Sequence, residues 1–363
     1  MRAGYGESLR KYLANKNPTL LIDFGGTKVF DSATVDTDII QVVNEPNKGK
    51  TVACNISLSN TDKDKLNKLS DYIRQNGMLS KFQTSDSWVI LSPIETSIKA
   101  KIEAVGTPLK DWNLSINYGI KTGLNEAFII STEKRDEILS NCRDEDERRR
   151  TAELIRPILR GRDIRRYGYE WANLWLINAH NGVPGKYKRI EIENYPAIKQ
   201  HLDEYHDELF KRADQGDTPY NLRNCAYLDD FNKPKIIWKI IGNRMGFAIE
   251  KNGYIVNNAC DILTGENLDY LLGFFNSNAI LWYSNITNMN KTGVGDVQVG
   301  AQNVLLFPVP KKSFVKTQIE NLISNPIAKE VTDQPIEDCV CEAYGFTKDE
   351  KEFLTLFSRT IYG

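Results

Sequence analysis

The sequence has few of the residues that build metal centres or membrane spans. Its 363 residues include three histidines and no Cys-x-x-Cys pair, so no zinc site is predicted. No apolar run approaches the roughly 20 residues needed to cross a bilayer. Residues 1–20 also lack the apolar core of a signal peptide. We therefore expect a cytoplasmic protein with no metal and no membrane contact. The six cysteines are expected to be free thiols, mostly in the core: Cys54, Cys142, Cys225, Cys260, Cys339 and Cys341.

The chain also lacks a large excess of either charge. Its net charge of −1 excludes a polycation that binds nucleic acid through overall charge alone. The local distribution differs, because residues 156–189 contain eight Arg or Lys against two Asp or Glu. Such a cluster is typical of a phosphate-binding surface. The alternative is a solvated helix or loop face.

Short strand patterns dominate the middle of the chain, and helical patterns dominate its end. The length predicts two or three folded units. Helices are predicted over 132–156, around 190–213 and over 267–284, and in most of 311–363. Thr347 and Glu350 have the spacing of a capping box. Strands are predicted at 127–131, 174–179, 235–241, 246–258 and 303–310.

The first 105 residues give a weaker pattern. A helix is predicted at 7–14 and two strands at 19–26 and 37–44. An isolated strand pair is marginally stable, so we expect residues 1–45 to be loosely held and to belong to a domain whose earlier part is missing. Beyond them, a helix is predicted at 62–77 and a strand at 87–93.

Two polar stretches interrupt the strand-rich region. "SINYGIKTGLNEAFII" (115–130) has apolar ends around a polar centre, and its glycines would let the backbone approach a ligand closely. In "RPILRGRDIRRYGYEW" (156–171), four arginines crowd around Gly161 and Asp163: Arg160, Arg162, Arg165 and Arg166. Tyr167, Tyr169 and Trp171 follow, an interleaving common on nucleic-acid-binding surfaces. The second stretch predicts contact with phosphates or bases, whereas the residues of the first stretch alone favour an ordinary hairpin connection.

The order of these segments resembles the C-terminal half of TaqI-type N6-adenine DNA methyltransferases and of the fused type IIG restriction–modification enzymes. The segment "LIRPILRGRDIRRYGYEWANLWLI" (154–177) is similar to a recurring G-R-(D/N)-(I/L) element of that family. The other similar segments are residues 8–44, 107–130, 233–263, 303–310 and 338–354.

The resemblance implies an α+β protein. It would consist of a mixed-sheet target-recognition domain, an N-terminal remnant of an α/β methyltransferase domain and a helical C-terminal tail. Residues 1–50 would be the edge of the methyltransferase domain and 51–105 a connecting segment. Residues 106–310 would be the DNA specificity domain and 311–363 the helical tail. We expect residues 106–310 to form a compact unit.

The family's catalytic signature, Asn-Pro-Pro-(Tyr/Phe), is absent from the sequence, and so is the S-adenosylmethionine loop. "NPTL" (17–20) lacks the second proline and the aromatic residue. The resemblance therefore implies sequence-specific recognition of double-stranded DNA without catalysis or cofactor binding in this chain. S-adenosylmethionine would belong to the intact enzyme, and the missing catalytic domain would be a partner.

Ten residues are expected to contact DNA. Asp163 is expected to orient a neighbouring arginine instead, since a free carboxylate would repel phosphate. Two alternatives stay open: a stand-alone specificity subunit that acts in trans, and a general RNA-binding protein. The expected DNA contacts are Asn117, Lys121, Thr122, Asn125, Arg160, Arg162, Arg165, Arg166, Lys239 and Arg244.

Overall fold

The computed structural model describes residues 1, 6–24, 29–30, 37–56, 68–242, 244–287, 290–291, 297–324 and 333–362. The strands in this part of the chain are β1 (Asn17–Asp23), β2 (Asp38–Val43), β3 (Thr51–Asn55), β4 (Met78–Ser80), β5 (Thr107–Pro108), β6 (Leu114–Tyr118), β7 (Ile129–Ser131), β8 (Ile155–Leu159), β9 (Ile164–Arg165), β10 (Gly168–Tyr169), β11 (Leu174–Ile177), β12 (Lys235–Lys239), β13 (Ile241–Gly242), β14 (Phe247–Glu250), β15 (Ile255–Val256), β16 (Cys260–Gly265), β17 (Asn290–Lys291), β18 (Val297–Gln298) and β19 (Pro308–Val309).

The helices alternate with these strands and confirm the predicted α+β class. They are Glu7–Ala14, Leu69–Asn76, Pro93–Val105, Asn125–Phe128, Thr132–Ser140, Glu145–Leu154, Pro196–Asp203, His206–Lys211, Leu268–Phe275, Asn278–Thr287, Ala301–Val304, Lys316–Ser324, Asp333–Tyr344 and Lys348–Tyr362.

The N-terminal strands belong to a four-stranded sheet of order β2-β1-β3-β4. The predicted pairing of β1 with β2 is confirmed, but the expectation that these strands lack a sheet is wrong. β1 also pairs in parallel with β3, which lies in the segment assigned as a connection. Leu21 and Ala53 are buried against Phe82 and Trp88. The sheet therefore has its own small core.

The central sheet of the specificity region has the order β14-β12-β16-β6 and is buried on both faces. Alternation along β12 divides its residues, because successive side chains of a strand point to opposite faces. Ile236 and Trp238 join one buried cluster, and Ile237 joins the other. The sheet thus separates two cores, and loops cover the ends of its strands.

The helical C-terminal segment is part of the same body. The cluster that contains Trp238 extends from Ile98 to Leu354 and includes Ile319 and Val340. The capping box is confirmed: Glu350 accepts from the Thr347 backbone N–H at 2.7 Å, and Thr347 accepts from the Glu350 backbone N–H at 3.3 Å. The tail therefore packs on the core that supports the central sheet.

Three sequence expectations need correction or limits. The strand predicted at 303–310 is wrong: these residues form a helix end, a turn and the two-residue β19. Val304 and Phe307 are buried, but they lie in the helix end and the turn and not in a β-sheet. Residues 87–91 form no strand, although Trp88 and Ile90 are buried. The predicted helix 62–77 is seen as Leu69–Asn76, and 57–67 lies outside the described residues. None of the described helices is long and apolar enough to cross a membrane.

Candidate nucleic-acid interface

Three strand ends bring the two polar stretches to one end of the central sheet. Lys239, the last residue of β12, is opposite Cys260, the first residue of β16. The Cys260 carbonyl accepts a hydrogen bond from the Gly119 backbone N–H at 2.8 Å, immediately after β6. Neighbouring strands lie about 4.8 Å apart. Lys239 and the 119–125 loop are therefore separated by about two strand spacings.

The arginine stretch reaches the same end of the sheet through a tight turn. Residues Gly161–Asp163 form a single 3-10 turn after β8. A Cβ on Gly161 would lie 3.2 Å from the Cβ of Lys239. This close packing places the turn that carries Arg162 against Lys239.

Asp163 has the role expected of it. It is 5% exposed, and its carboxylate accepts from the Arg160 backbone N–H at 2.8 Å. It also accepts from Arg160 Nε at 3.1 Å and Nη2 at 2.8 Å. Arg160 is therefore anchored, and its guanidinium has less freedom to meet a ligand than the sequence suggested.

Arg162 and Lys239 are the cations at this end that have no ion-pair or hydrogen-bond partner for their side chains among the described residues. Arg162 is exposed, and Lys239 is half-buried. The Lys239 side chain lies over Gly242, where an added Cβ would come 2.4 Å from Nζ. Arg162 and Lys239 form the part of the surface best suited to bind an anion.

Arg165 and Arg166 differ, although they are adjacent. Arg165 is exposed and approaches Glu170 at 3.4 Å, a weak surface pair. Arg166 instead donates two hydrogen bonds to the Asn276 carbonyl and forms ion pairs with Asp333 and Glu337. It joins the hairpin formed by β9 and β10 to the helix Asp333–Tyr344. A DNA contact by Arg166 is therefore not supported by its geometry.

The aromatic residues after the arginines are also committed to packing. Tyr167 packs against the core that contains Trp238, beneath the Arg166 guanidinium. The Tyr169 hydroxyl contacts Glu250, which forms a fully buried ion pair with Lys235. Trp171 donates its indole N–H to the Leu174 carbonyl at 3.0 Å. The three rings, whose interleaving with arginines is common on nucleic-acid-binding surfaces, therefore pack in and around the β9–β10 hairpin.

The glycines of the 115–130 stretch approach protein backbone. A Cβ on Gly119 would lie 2.0 Å from the Asn257 carbonyl oxygen. Gly123 has φ +70° and faces the Asp214 carbonyl, 2.8 Å from an added Cβ. The expectation that these glycines admit DNA is therefore wrong, since they admit neighbouring loops.

The polar side chains of this stretch divide into structural and exposed groups. Asn117 donates to Asp230 at 3.0 Å. Thr122 is 2% exposed and donates to the exposed Asn125 at 2.7 Å. Lys121 is exposed and forms an ion pair with Asp214 at 2.9 Å. Of these four, Lys121 and Asn125 are placed to reach a ligand.

The buried side chain of Arg212 holds the 119–125 loop in place through hydrogen bonds. Its guanidinium donates to the carbonyls of Asp214 at 2.9 Å, Pro219 at 2.8 Å and Thr122. Burial lowers the pKa of Arg212 to about 10. The Lys121 and Arg223 hydrogen bonds hold the pKa of the Asp214 carboxyl below its ordinary value. The loop is thus held rigidly while Lys121 stays at the surface.

A turn that the sequence analysis did not single out lies between the two polar stretches. Asn257 donates its backbone N–H to the Leu159 carbonyl at 3.0 Å, and the Ala259 carbonyl is near Gly161. Asn258 is exposed and shares a cleft of about 310 Å³ with Lys121 and Asn125. In the sequence, the Asn257–Asn258 pair between two strand patterns indicates a turn, but it does not show where in the fold this turn lies.

Lys239 and Arg244, the last two of the expected contacts, flank a chain reversal, since β12 and β14 pair antiparallel. β13 (Ile241–Gly242) pairs with β18 in a small three-stranded sheet. Asn243 lies outside the described residues. Arg244 is exposed, and the following Gly246 lies 3.5 Å from the Arg165 backbone, measured from an added Cβ. The structure therefore brings Arg162, Arg165, Lys239 and Arg244 to one surface.

Residues 156–296 match the model of the TaqI-like C-terminal specificity domain family. The resemblance predicted from the sequence is confirmed over this stretch, which contains the arginine turn, the Asn257–Asn258 turn and Lys239. Lys121 and Asn125 lie outside it.

The chain is similar in fold to one larger enzyme of known structure. It superposes on the type IIL restriction–modification enzyme MmeI, solved in complex with DNA, with a TM-score of 0.50 and 12% identity. The match covers 96% of this chain and 46% of MmeI. The type IIG restriction endonuclease BpuSI matches with a TM-score of 0.40 and 12% identity, over 95% of this chain and 46% of BpuSI. The chain thus spans slightly under half the length of either structure.

Proposed function

We propose that this chain reads a sequence in double-stranded DNA for a restriction–modification enzyme that methylates adenine at N6. The observation that carries the proposal is the convergence of separate loops at one end of the central sheet. There the side chains of Arg162 and Lys239 have no ion-pair or hydrogen-bond partner among the described residues. The match of residues 156–296 to a specificity domain family supports the same function.

The exposed cations would bind phosphates and fix the register of the duplex, whereas amides would read base edges. We assign phosphate contacts to Arg162, Arg165, Lys239 and Lys121. Asn125 and Asn258 can each donate to and accept from a base in the major groove. Arg244 is a further candidate on the same surface. The anchored Arg160 would support this surface.

Methyl transfer and its cofactor, S-adenosylmethionine, are proposed to belong to a catalytic part outside this sequence. Asn17 and Pro18 are the nearest approach to the catalytic signature, but they do not fit it. Asn17 is 4% exposed, donates to Glu45 at 2.6 Å and accepts from the Lys48 backbone N–H. Its amide is used within the N-terminal sheet, and no step of catalysis is assigned to this chain.

The first test is binding to duplex DNA as a function of salt. Wild type, Arg162→Ala and Lys239→Ala are compared by fluorescence anisotropy on one duplex of random sequence. Each lost phosphate contact should weaken binding and reduce the slope of log affinity against log salt by about one. Arg149→Ala is the matched control, because Arg149 is 72% exposed and lies on the helix Glu145–Leu154, outside the proposed surface. Wild-type slopes for both variants would overturn the proposed surface.

The second test concerns sequence. Repeated selection from randomised duplexes should enrich one motif for wild type, and Asn258→Ala should relax preference at a single position by about 1–3 kcal/mol. An RNA duplex is the competitor that distinguishes the RNA-binding alternative. Tighter binding to RNA than to the selected DNA would contradict the proposal.

A further inference from the structure

A second cleft opens beside the proposed DNA surface, on the side of the edge strand β6. It has a volume of about 430 Å³, within the size range of small-ligand sites. Its lining includes Tyr118, Lys121, Gln215, Arg223, Asn224 and Tyr227. Lys121 borders both this cleft and the smaller one that contains Asn258. The cleft is therefore continuous with the surface assigned to DNA.

Tyr118 is the unusual residue in the cleft. It ends β6, and 62% of it is exposed although it is a large aromatic residue. Tyr227 meets it edge-on, with ring centroids 5.8 Å apart and planes at 86°. An edge-on neighbour supports the ring while leaving other parts of it accessible. Accessible aromatic faces bind nucleobases by stacking, with little dependence on sequence.

The cleft also contains polar groups that could bind the polar edge of a base. The buried Oε1 of Gln215 has no hydrogen-bond partner among the described residues. Every nucleobase carries an N–H on its Watson–Crick edge, which could satisfy this acceptor. An unpaired buried acceptor is costly, so a ligand that donates to it gains affinity. Gln215 borders the cleft, and its amide would have to turn toward the cleft to meet a base there.

Two cations flank the same cleft. Asp214 bridges Lys121 at 2.9 Å and Arg223 at 3.1 Å. Lys121 and Arg223 are both at least 43% exposed, so each can turn toward an anion without leaving a buried charge behind. A phosphate attached to a base on Tyr118 could meet either cation. The carboxylate of Asp214 would hold both cations in place when no phosphate is present.

We propose that this cleft binds one nucleotide that has left the base stack of the duplex. The base would stack on Tyr118 and donate to Gln215, and its phosphate would contact Lys121 or Arg223. This inference depends on the proposed function for the duplex itself. It adds that the chain stabilises locally unpaired DNA. The free-energy cost of moving a base out of the stack is lowest where that base is already unpaired.

The test uses two short fluorescein-labelled duplexes that are identical except for one unpaired adenosine in the middle of one strand. Wild type should bind the bulged duplex more tightly than the paired one. Tyr118→Ala should weaken binding to the bulged duplex by about 5- to 150-fold, the measured range for loss of one stacked base. Binding to the paired duplex should stay unchanged, and Tyr118→Phe should retain the preference.

The matched control is Tyr12→Ala, because Tyr12 is equally exposed, at 62%, but lies on the N-terminal helix. Gln215→Leu should reduce binding to the bulged duplex and leave the paired duplex unaffected. Equal affinity of wild type for both duplexes would overturn the inference. So would a bulge preference that survives in Tyr118→Ala, since it would reflect the flexibility of the bulge. In either case, salt dependence that still requires Arg162 would leave the proposed function standing. If wild type bound neither duplex, both this inference and the proposed function would be overturned.

Discussion

Asp163 and Arg160 hold each other through three hydrogen bonds, one to the Arg160 backbone N–H and two to its guanidinium. The carboxylate closes the tight turn and at the same time neutralises one arginine of the cluster. Arg162, between them in sequence, is left exposed, and its side chain has no ion-pair or hydrogen-bond partner among the described residues. The turn therefore separates a structural arginine from one that is available for a ligand.

Replacing Asp163 tests this division. Asp163→Ala should lower the free energy of unfolding by about 1–3 kcal/mol, because three half-buried donors of Arg160 lose their acceptor. Asp163→Asn keeps an acceptor oxygen and should cost less. Urea denaturation measures both. Asp146→Ala is the control, since Asp146 is 74% exposed in a surface pair and should change stability by no more than about 1 kcal/mol. Equal losses for Asp163→Ala and Asp146→Ala would show that the turn does not depend on Asp163.

Arg166 should behave as a structural residue. Arg166→Ala removes the ion pairs to Asp333 and Glu337 and two hydrogen bonds to the Asn276 carbonyl. We expect a loss of about 1–3 kcal/mol in stability and faster hydrogen exchange in the helix Asp333–Tyr344. The salt slope of DNA binding should equal that of wild type. A slope reduced by about one would instead make Arg166 a phosphate contact.

Two glycines provide a matched pair. Gly119→Ala places a Cβ 2.0 Å from the Asn257 carbonyl oxygen and 2.5 Å from that of Val256, both backbone atoms. Such overpacking should cost about 1–3 kcal/mol or more. A Cβ on Gly168 meets nothing within 4 Å, so Gly168→Ala should change stability by about 0.5 kcal/mol at most. Thermal denaturation of the two variants gives the comparison, and similar midpoints would contradict the close approach of the two loops.

The sequence predicted what depends on neighbours in the chain. Strand β12 follows from its β-rich composition, and the Thr347–Glu350 capping box needs a separation of three residues. Asp163 was predicted to orient an arginine for the same reason. The chemistry of each group and a short spacing were sufficient in these cases.

Distant partners could not be predicted. The acceptor of Arg166 is 110 residues away at Asn276, and its ion pair with Asp333 spans 167 residues. The same limit applies to Gly119, whose neighbour Asn257 is set by the pairing of β6 with β16. Strand β3, which completes the N-terminal sheet, has five residues in a polar stretch and gives little periodic signal. Tertiary contacts thus decide which side chains of this protein are exposed to a ligand, and the local sequence pattern does not encode those contacts.

The pH dependence of stability should contain a contribution from Asp261, which lies beneath the proposed DNA surface. Asp261 is opposite Tyr118 on β6 and Trp238 on β12, and it is 4% exposed. Burial raises the pKa of its carboxyl from the ordinary 3.8 to about 6, against a smaller opposite effect of the Ala301 backbone N–H. Between these values the folded state keeps a proton that the unfolded state has lost. Stability should therefore fall as pH rises from about 4 to 6.

Above pH 6 the carboxyl is ionised in both states, and its burial should cost about 3 kcal/mol. Asp261→Asn removes this cost and preserves an acceptor for Ala301. The variant should be more stable than wild type at pH 7, by up to about 3 kcal/mol, and the difference should shrink toward pH 4. Urea denaturation across this range measures it, with Asp136→Asn as the control because Asp136 is 64% exposed. A wild-type advantage at pH 7 would show that the ionised Asp261 is stabilised by the fold, and would reverse the sign of this contribution.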